Sequence, residues 1–154
     1  AAGNKKLVHA LTRIKSYLDY GMFTPAQVAA TAAINGPQDY VDEMRAMYKE
    51  RRDIVVKGLN DAGWPVPSPS ASMFIWAPLP VQYKDLGSFD FAKLLLDQAE
   101  VAVAPGVGFG EYGDGHVRIA LVENKQRLRQ AVRNIKAFMG KDAEKVKREL
   151  KSVA

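Results

Sequence analysis

The chain has 154 residues, 47% of them hydrophobic and 25% charged, with a formal net charge of +5 and no cysteine. That balance fits one ordinary domain with a real core and excludes wholesale disorder, disulfides and thiolate metal sites. No apolar run approaches the roughly 20 residues that span a bilayer, so no membrane partner is expected.

The first residues, AAGNKKLVHA, show neither the apolar stretch nor the cleavage pattern of a signal peptide, and with no cysteine this points to the cytoplasm. A helix is predicted over 4–20, entered at Asn4 and closed by Gly21, with Leu7, Leu11, Ile14 and Leu18 on one face. Met22 to Pro25 reads as a break, because a residue before proline is pushed out of the helical region. An alanine-rich helix over 26–34 follows, its small residues suited to close approach by another helix. Pro37, placed in a first turn, opens the longest element. Val41, Met44, Tyr48, Val55 and Leu59 recur at helical spacing, and Gly63 and Pro65 stop it. At 1.5 Å per residue it spans roughly 35–40 Å, long enough to bridge two bodies of structure.

Residues 64–70, WPVPSPS, read as an extended connector and 71–76, ASMFIW, as a strand. Ser88 is placed to cap a helix to Ala99, with Phe91, Leu94 and Leu95 inward. A short strand over 101–104, a glycine-rich loop and a strand over 116–121 come next. Asn124 caps a helix carrying Leu128, Val132, Ile135 and Met139, ended by Gly140. The tail reads as an exposed or frayed helix. The order from 63 to 140 (strand, helix, strand, strand, helix) describes an α+β layer, a short mixed sheet with helices on one face.

In the strand over 116–121, Val117, Ile119 and Leu121 share one face, so Arg118 points the other way. Its planar fork can give a carboxylate two parallel hydrogen bonds. The pattern leaves two readings open: a ligand's acid group, or a structural ion pair with Glu111, Asp114 or Glu123. Other signals are weaker. Gly108, Gly110 and Gly113 match GxGxxG, but a dinucleotide site needs a helix opening in that loop, and here a strand follows. Asp114 and His116 with Ser72 or Ser88 lack an elbow motif around the serine. His9 and His116 have no ligand spacing, so no metal is expected. The cations concentrate in GKDAEKVKRELK, a solvated helical face without any nucleic-acid motif.

The stretch PGVGFGEYGDGHVRIAL resembles the closing signature of class I/II aminotransferases, the fold-type I enzymes that use pyridoxal phosphate. IKSYLDYGMFTPAQVAA, ERRDIVVKGLNDAGW and HVRIALVEN look like the bacterial alanine (glutamate–pyruvate) transaminase branch. The resemblance runs from residue 1 to about 140. It implies that Arg118 grips the substrate α-carboxylate and that the long helix links a large and a small domain. Phe23-Thr24-Pro25 falls where the family has a segment near the cofactor phosphate at the dimer interface, often ending in Asn-Pro; Thr24 departs from that pattern.

The resemblance further implies that the sequence corresponds to the C-terminal part of a longer chain. The lysine that would hold the cofactor is expected ahead of Ala1, and Lys5 and Lys6 lie after that point. The expected organisation is a helical edge of the missing large domain over 1–36, the interdomain helix over 37–62, the small α+β domain over 63–140 and a charged tail over 141–154. The intact enzyme would be a pyridoxal-phosphate transaminase and homodimer acting on an amino acid and a 2-oxo acid. The fragment is expected to be inactive, to hold no cofactor and to contain no catalytic residue. The alternatives are a stand-alone module binding a small carboxylic acid and a basic nucleic-acid interaction domain.

Overall fold

The computed structural model describes residues 1–153, with side chains described through 148. They fall into two compact units, 1–42 and 43–154, described separately below.

The first unit holds α1 (Lys5–Leu18), α2 (Thr24–Asn35) and the start of α3 (Asp39–Asp61). Asn4 caps α1 as its side chain predicts, accepting from the Lys6 N–H at 2.9 Å. The apolar stripe is real, but Leu7, Leu11, Ile14 and Leu18 are between 50% and 77% exposed, so α1 buries nothing within the described residues. α2 starts two residues earlier than expected. Pro25 sits inside its first turn, where a missing N–H costs nothing, and so does not break it. The alanines of α2 bury nothing either. Pro37 lies two residues ahead of α3 and not within it. Gln38 instead accepts the first helical bonds, from Val41 and Asp42.

α3 has 23 residues, about 34 Å at the standard rise, close to the length its spacing demands. All of it from Glu43 onward belongs to the second unit, where it buries Val55 and Leu59. The chain then runs through β1 (Phe74–Pro78), a 3-10 segment over 81–86, and α4 (Gly87–Ala99). β2 (Ala104–Pro105), two 3-10 turns, β3 (His116–Ala120), α5 (Lys125–Met139) and α6 (Ala143–Val153) follow.

The sheet order is β1-β3-β2, and both ladders of β3 are antiparallel. The α+β class holds, but the sheet is not mixed. β1 and β2 run the same way, yet β3 lies between them, so no parallel pair forms. β1 begins three residues later than predicted, because Ser72 at φ 83 bends the chain and its hydroxyl accepts from the Phe74 N–H. The strand expected over 101–104 shrinks to Ala104–Pro105 for a different reason. Val101 N–H and Glu100 N–H bond to the carbonyls of Leu95 and Leu96, closing α4 with Glu100 in the left-handed conformation. This Schellman closure takes up the backbone before a ladder can start.

The inner sheet face, Ile75, Ala77, Val117 and Ile119, joins Phe91, Leu94 and Leu95 of α4 in the core. Asn124 caps α5 through the Arg127 N–H, again as its position predicts. Phe138, absent from the expected apolar row, is fully buried and stacks on Tyr83 at 5.2 Å. The tail is more than a solvated helix, since Val146 is buried and Lys147 pairs with Asp85 at 2.9 Å. That carboxylate, ahead of Glu144, holds the Lys147 ammonium above its usual pKa. The expectation for 149–154 lies outside the described side chains.

Candidate functional site

Arg118 occupies the central strand, paired across to Trp76 on one side and Ala104 on the other, so its backbone is held from both edges. Alternation puts Phe74, Trp76, His116 and Arg118 together on the outer face. The guanidinium Cζ lies 4.3 Å from the centroid of the Phe74 ring and 4.3 Å from that of Phe109, which comes from the glycine loop. Phe109 meets Trp76 edge-on at 5.8 Å, and Trp76 stacks on His116 at 5.3 Å. The His116 Nδ1 is buried without a hydrogen-bond partner.

Arg118 is half-buried and, among the described residues, neither pairs with a carboxylate nor donates a side-chain hydrogen bond. Of the acids that could have paired with it, Asp114 is committed elsewhere. Its carboxylate accepts the Ser88 N–H at 2.6 Å at the start of α4, while the Ser88 hydroxyl accepts the Val107 N–H at 3.0 Å. Ser88 therefore ties the loop to α4 and does not cap the helix by its own side chain. The Ser88 N–H and hydroxyl hold the Asp114 carboxyl below the ordinary value of 3.8.

Because that folded-state value is lowered, the contribution is present above the ordinary value and lost as pH falls through the lowered one. Asp114→Asn is expected to reduce thermal stability at neutral pH and to flatten the acid limb of a melting-temperature series below about pH 4. An acid limb as steep as that of the unsubstituted chain would show that Asp114 does not hold this junction.

The loop crosses itself tightly. A Cβ on Gly106 would overlap the Gly113 carbonyl oxygen and stand 2.5 Å from that of His116. Of the GxGxxG match only Gly113 takes part in this crossing, with Gly106 outside the motif as its partner, and no α-helix begins in the loop. The serine, acid and histidine do not form a triad. Ser88 and Asp114 meet, but Ser88 is wholly buried and His116 is stacked on Trp76. No cluster of metal ligands occurs among the described residues, and none of their helices is long and apolar enough to cross a membrane. Thr24 lies exposed in the first turn of α2, in the other unit.

Phe74, Trp76 and Phe109 are the residues that sequence reading does not single out. Period-2 alternation in FIW was the available signal for the first two. Nothing local reveals that Phe109 folds back onto Arg118.

The α+β layer that carries Arg118 has a fold shared with aminotransferases of known structure. The alignment extends the likeness to sequence: a family model described as aminotransferase class I and II matches residues 1–135, and the chain belongs to that family. It is 59% identical over 140 residues to the glutamate-pyruvate aminotransferase AlaC of Escherichia coli, covering 91% of this chain and 34% of that protein. With the LL-diaminopimelate aminotransferase of Moorella thermoacetica it shares 43% identity, over 92% of this chain and 35% of the relative. Among solved structures, the alanine aminotransferase from Pyrococcus furiosus superposes with a TM-score of 0.69 at 36% identity, over 75% of this chain and 30% of that one. Substrate-bound BacF from Bacillus subtilis gives a TM-score of 0.76 at 33% identity, over 89% of this chain and 35% of that one. The chain spans about a third of the length of the curated relatives it matches.

Proposed function

We propose that this chain is the C-terminal, substrate-carboxylate-binding domain of a pyridoxal-phosphate aminotransferase. The intact enzyme would move an amino group between an amino acid of the alanine or glutamate type and a 2-oxo acid. The observation that carries this reading is the Arg118 guanidinium, half-buried, unpaired among the described residues and fixed on the central strand. A desolvated cation without a counter-ion is costly, and a substrate carboxylate would relieve that cost by two charge-assisted hydrogen bonds. Likeness to glutamate-pyruvate and alanine aminotransferases supports the choice of substrate.

The reading includes the division into large-domain edge (1–36), interdomain helix (37–62), small domain (63–140) and tail (141–154). It also includes homodimer assembly in the cytoplasm, with Thr24 as a secondary contact near the cofactor phosphate across the dimer. The family implies pyridoxal phosphate for the intact enzyme. The side chains gathered at Arg118 are two phenyl rings, an indole and an imidazole, with no lysine among them. They suit the acid end of a substrate and do not by themselves form a cofactor site. When bound to the intact enzyme, the cofactor supplies the electron sink for amino transfer. Arg118 fixes the acid end, which sets the distance and orientation of the reacting carbon.

The full-length enzyme should transfer the amino group of alanine to 2-oxoglutarate, while residues 1–154 alone should neither turn over nor bind alanine, glutamate or pyruvate in calorimetric titration. Binding by the isolated chain would instead favour a stand-alone carboxylate module, and absence of transfer by the full-length protein would overturn the reading.

A further inference from the structure

Phe109 is 51% exposed, an unusual place for a phenyl ring that had a core to enter. Its position is nevertheless built. The loop beneath it is closed by the Gly106–Gly113 crossing and tied to α4 through Ser88, and its ring is braced by Trp76, which rests on His116. All of that structure ends in a ring 4.3 Å from the Arg118 Cζ, with Phe74 at the same distance from the sheet side.

We propose that Phe74 and Phe109 are positioning residues that clamp the Arg118 guanidinium and make its site selective for planar anions over tetrahedral ones. This inference rests on the reading of Arg118 as a substrate anchor. Contact of the cation with phenyl faces removes orientational freedom and leaves the N–H edges to meet a ligand. A carboxylate bound edge-on lies in the guanidinium plane and avoids the rings. A phosphonate engaged through two oxygens must project its third out of that plane, towards the negative face of a phenyl ring, where an anionic oxygen is repelled. The clamp therefore sets ligand geometry as well as affinity.

The test uses the full-length holoenzyme and compares inhibition or binding constants for alanine and for 1-aminoethylphosphonate, which differ in the acid group. Phe109→Leu and Phe74→Leu should each lower the preference for the carboxylate by about fivefold, and Phe109→Tyr should keep it within about twofold. Far-UV circular dichroism establishes that each variant is folded, and the two independent positions guard against failure of either one. A lower affinity for both ligands with an unchanged ratio would overturn the clamp and leave only a packing role. Arg118→Gln separates the two levels. If it leaves both constants unchanged, the anchor reading itself fails and the clamp falls with it; if it weakens both while the leucine variants keep the ratio, only the clamp fails.

Discussion

Arg118→Gln in the full-length enzyme is expected to weaken recognition of both the amino acid and the 2-oxo acid by about 2–5 kcal/mol, the cost typical of truncating one partner of a buried charge pair. Both substrates should suffer together, because the shared feature that Arg118 would read is the acid group. Stability should change far less. Glutamine gives up the contacts with Phe74 and Phe109, each worth about 0.5–1 kcal/mol at a partly exposed site, but it also removes the desolvation of an unpaired cation. Steady-state KM and kcat for each half-reaction, with a thermal melt alongside, check both statements. Kinetic constants that do not move for any substrate would end the assignment.

The parts of this molecule that the sequence makes legible are those decided by local chemistry. Asn4 and Asn124 cap their helices because an amide oxygen beside free N–H groups has a short-range use. Arg118 stands opposite the apolar row because alternation along a strand is a backbone property. What stays hidden depends on how the chain closes back on itself beyond a single element. Asp114 meets the start of α4 twenty-six residues away in number, and Phe109 reaches Arg118 only after its loop has closed. The exposed stripe of α1 shows the converse: periodicity reports that a face is apolar, not what covers it.

Trp64 is the plainest case of a residue whose surroundings hide its weight. It opens WPVPSPS, a stretch whose prolines read as connector, yet it is 0% exposed in the structure. Its ring meets Phe91 edge-on at 5.4 Å, and its indole N–H donates to the Pro78 carbonyl at 2.7 Å. Pro78 ends β1 opposite His116, so the same side chain fills the core and fixes the end of the strand that carries Phe74 and Trp76. Trp64→Ala should therefore cost about 3–5 kcal/mol, the range for emptying a large aromatic site.

Trp64→Phe separates the two contributions. It retains much of the ring but leaves the Pro78 carbonyl without its donor, which should cost about 1–3 kcal/mol. Urea unfolding followed by far-UV circular dichroism measures both, provided the slope m matches that of the unsubstituted chain, so that midpoints report stability and not a changed unfolded state. An alanine variant no less stable than the phenylalanine one would mean that the hydrogen bond, and not the filled volume, is what Trp64 supplies. The outer face of the sheet would then depend on one donated N–H for the position of its edge strand.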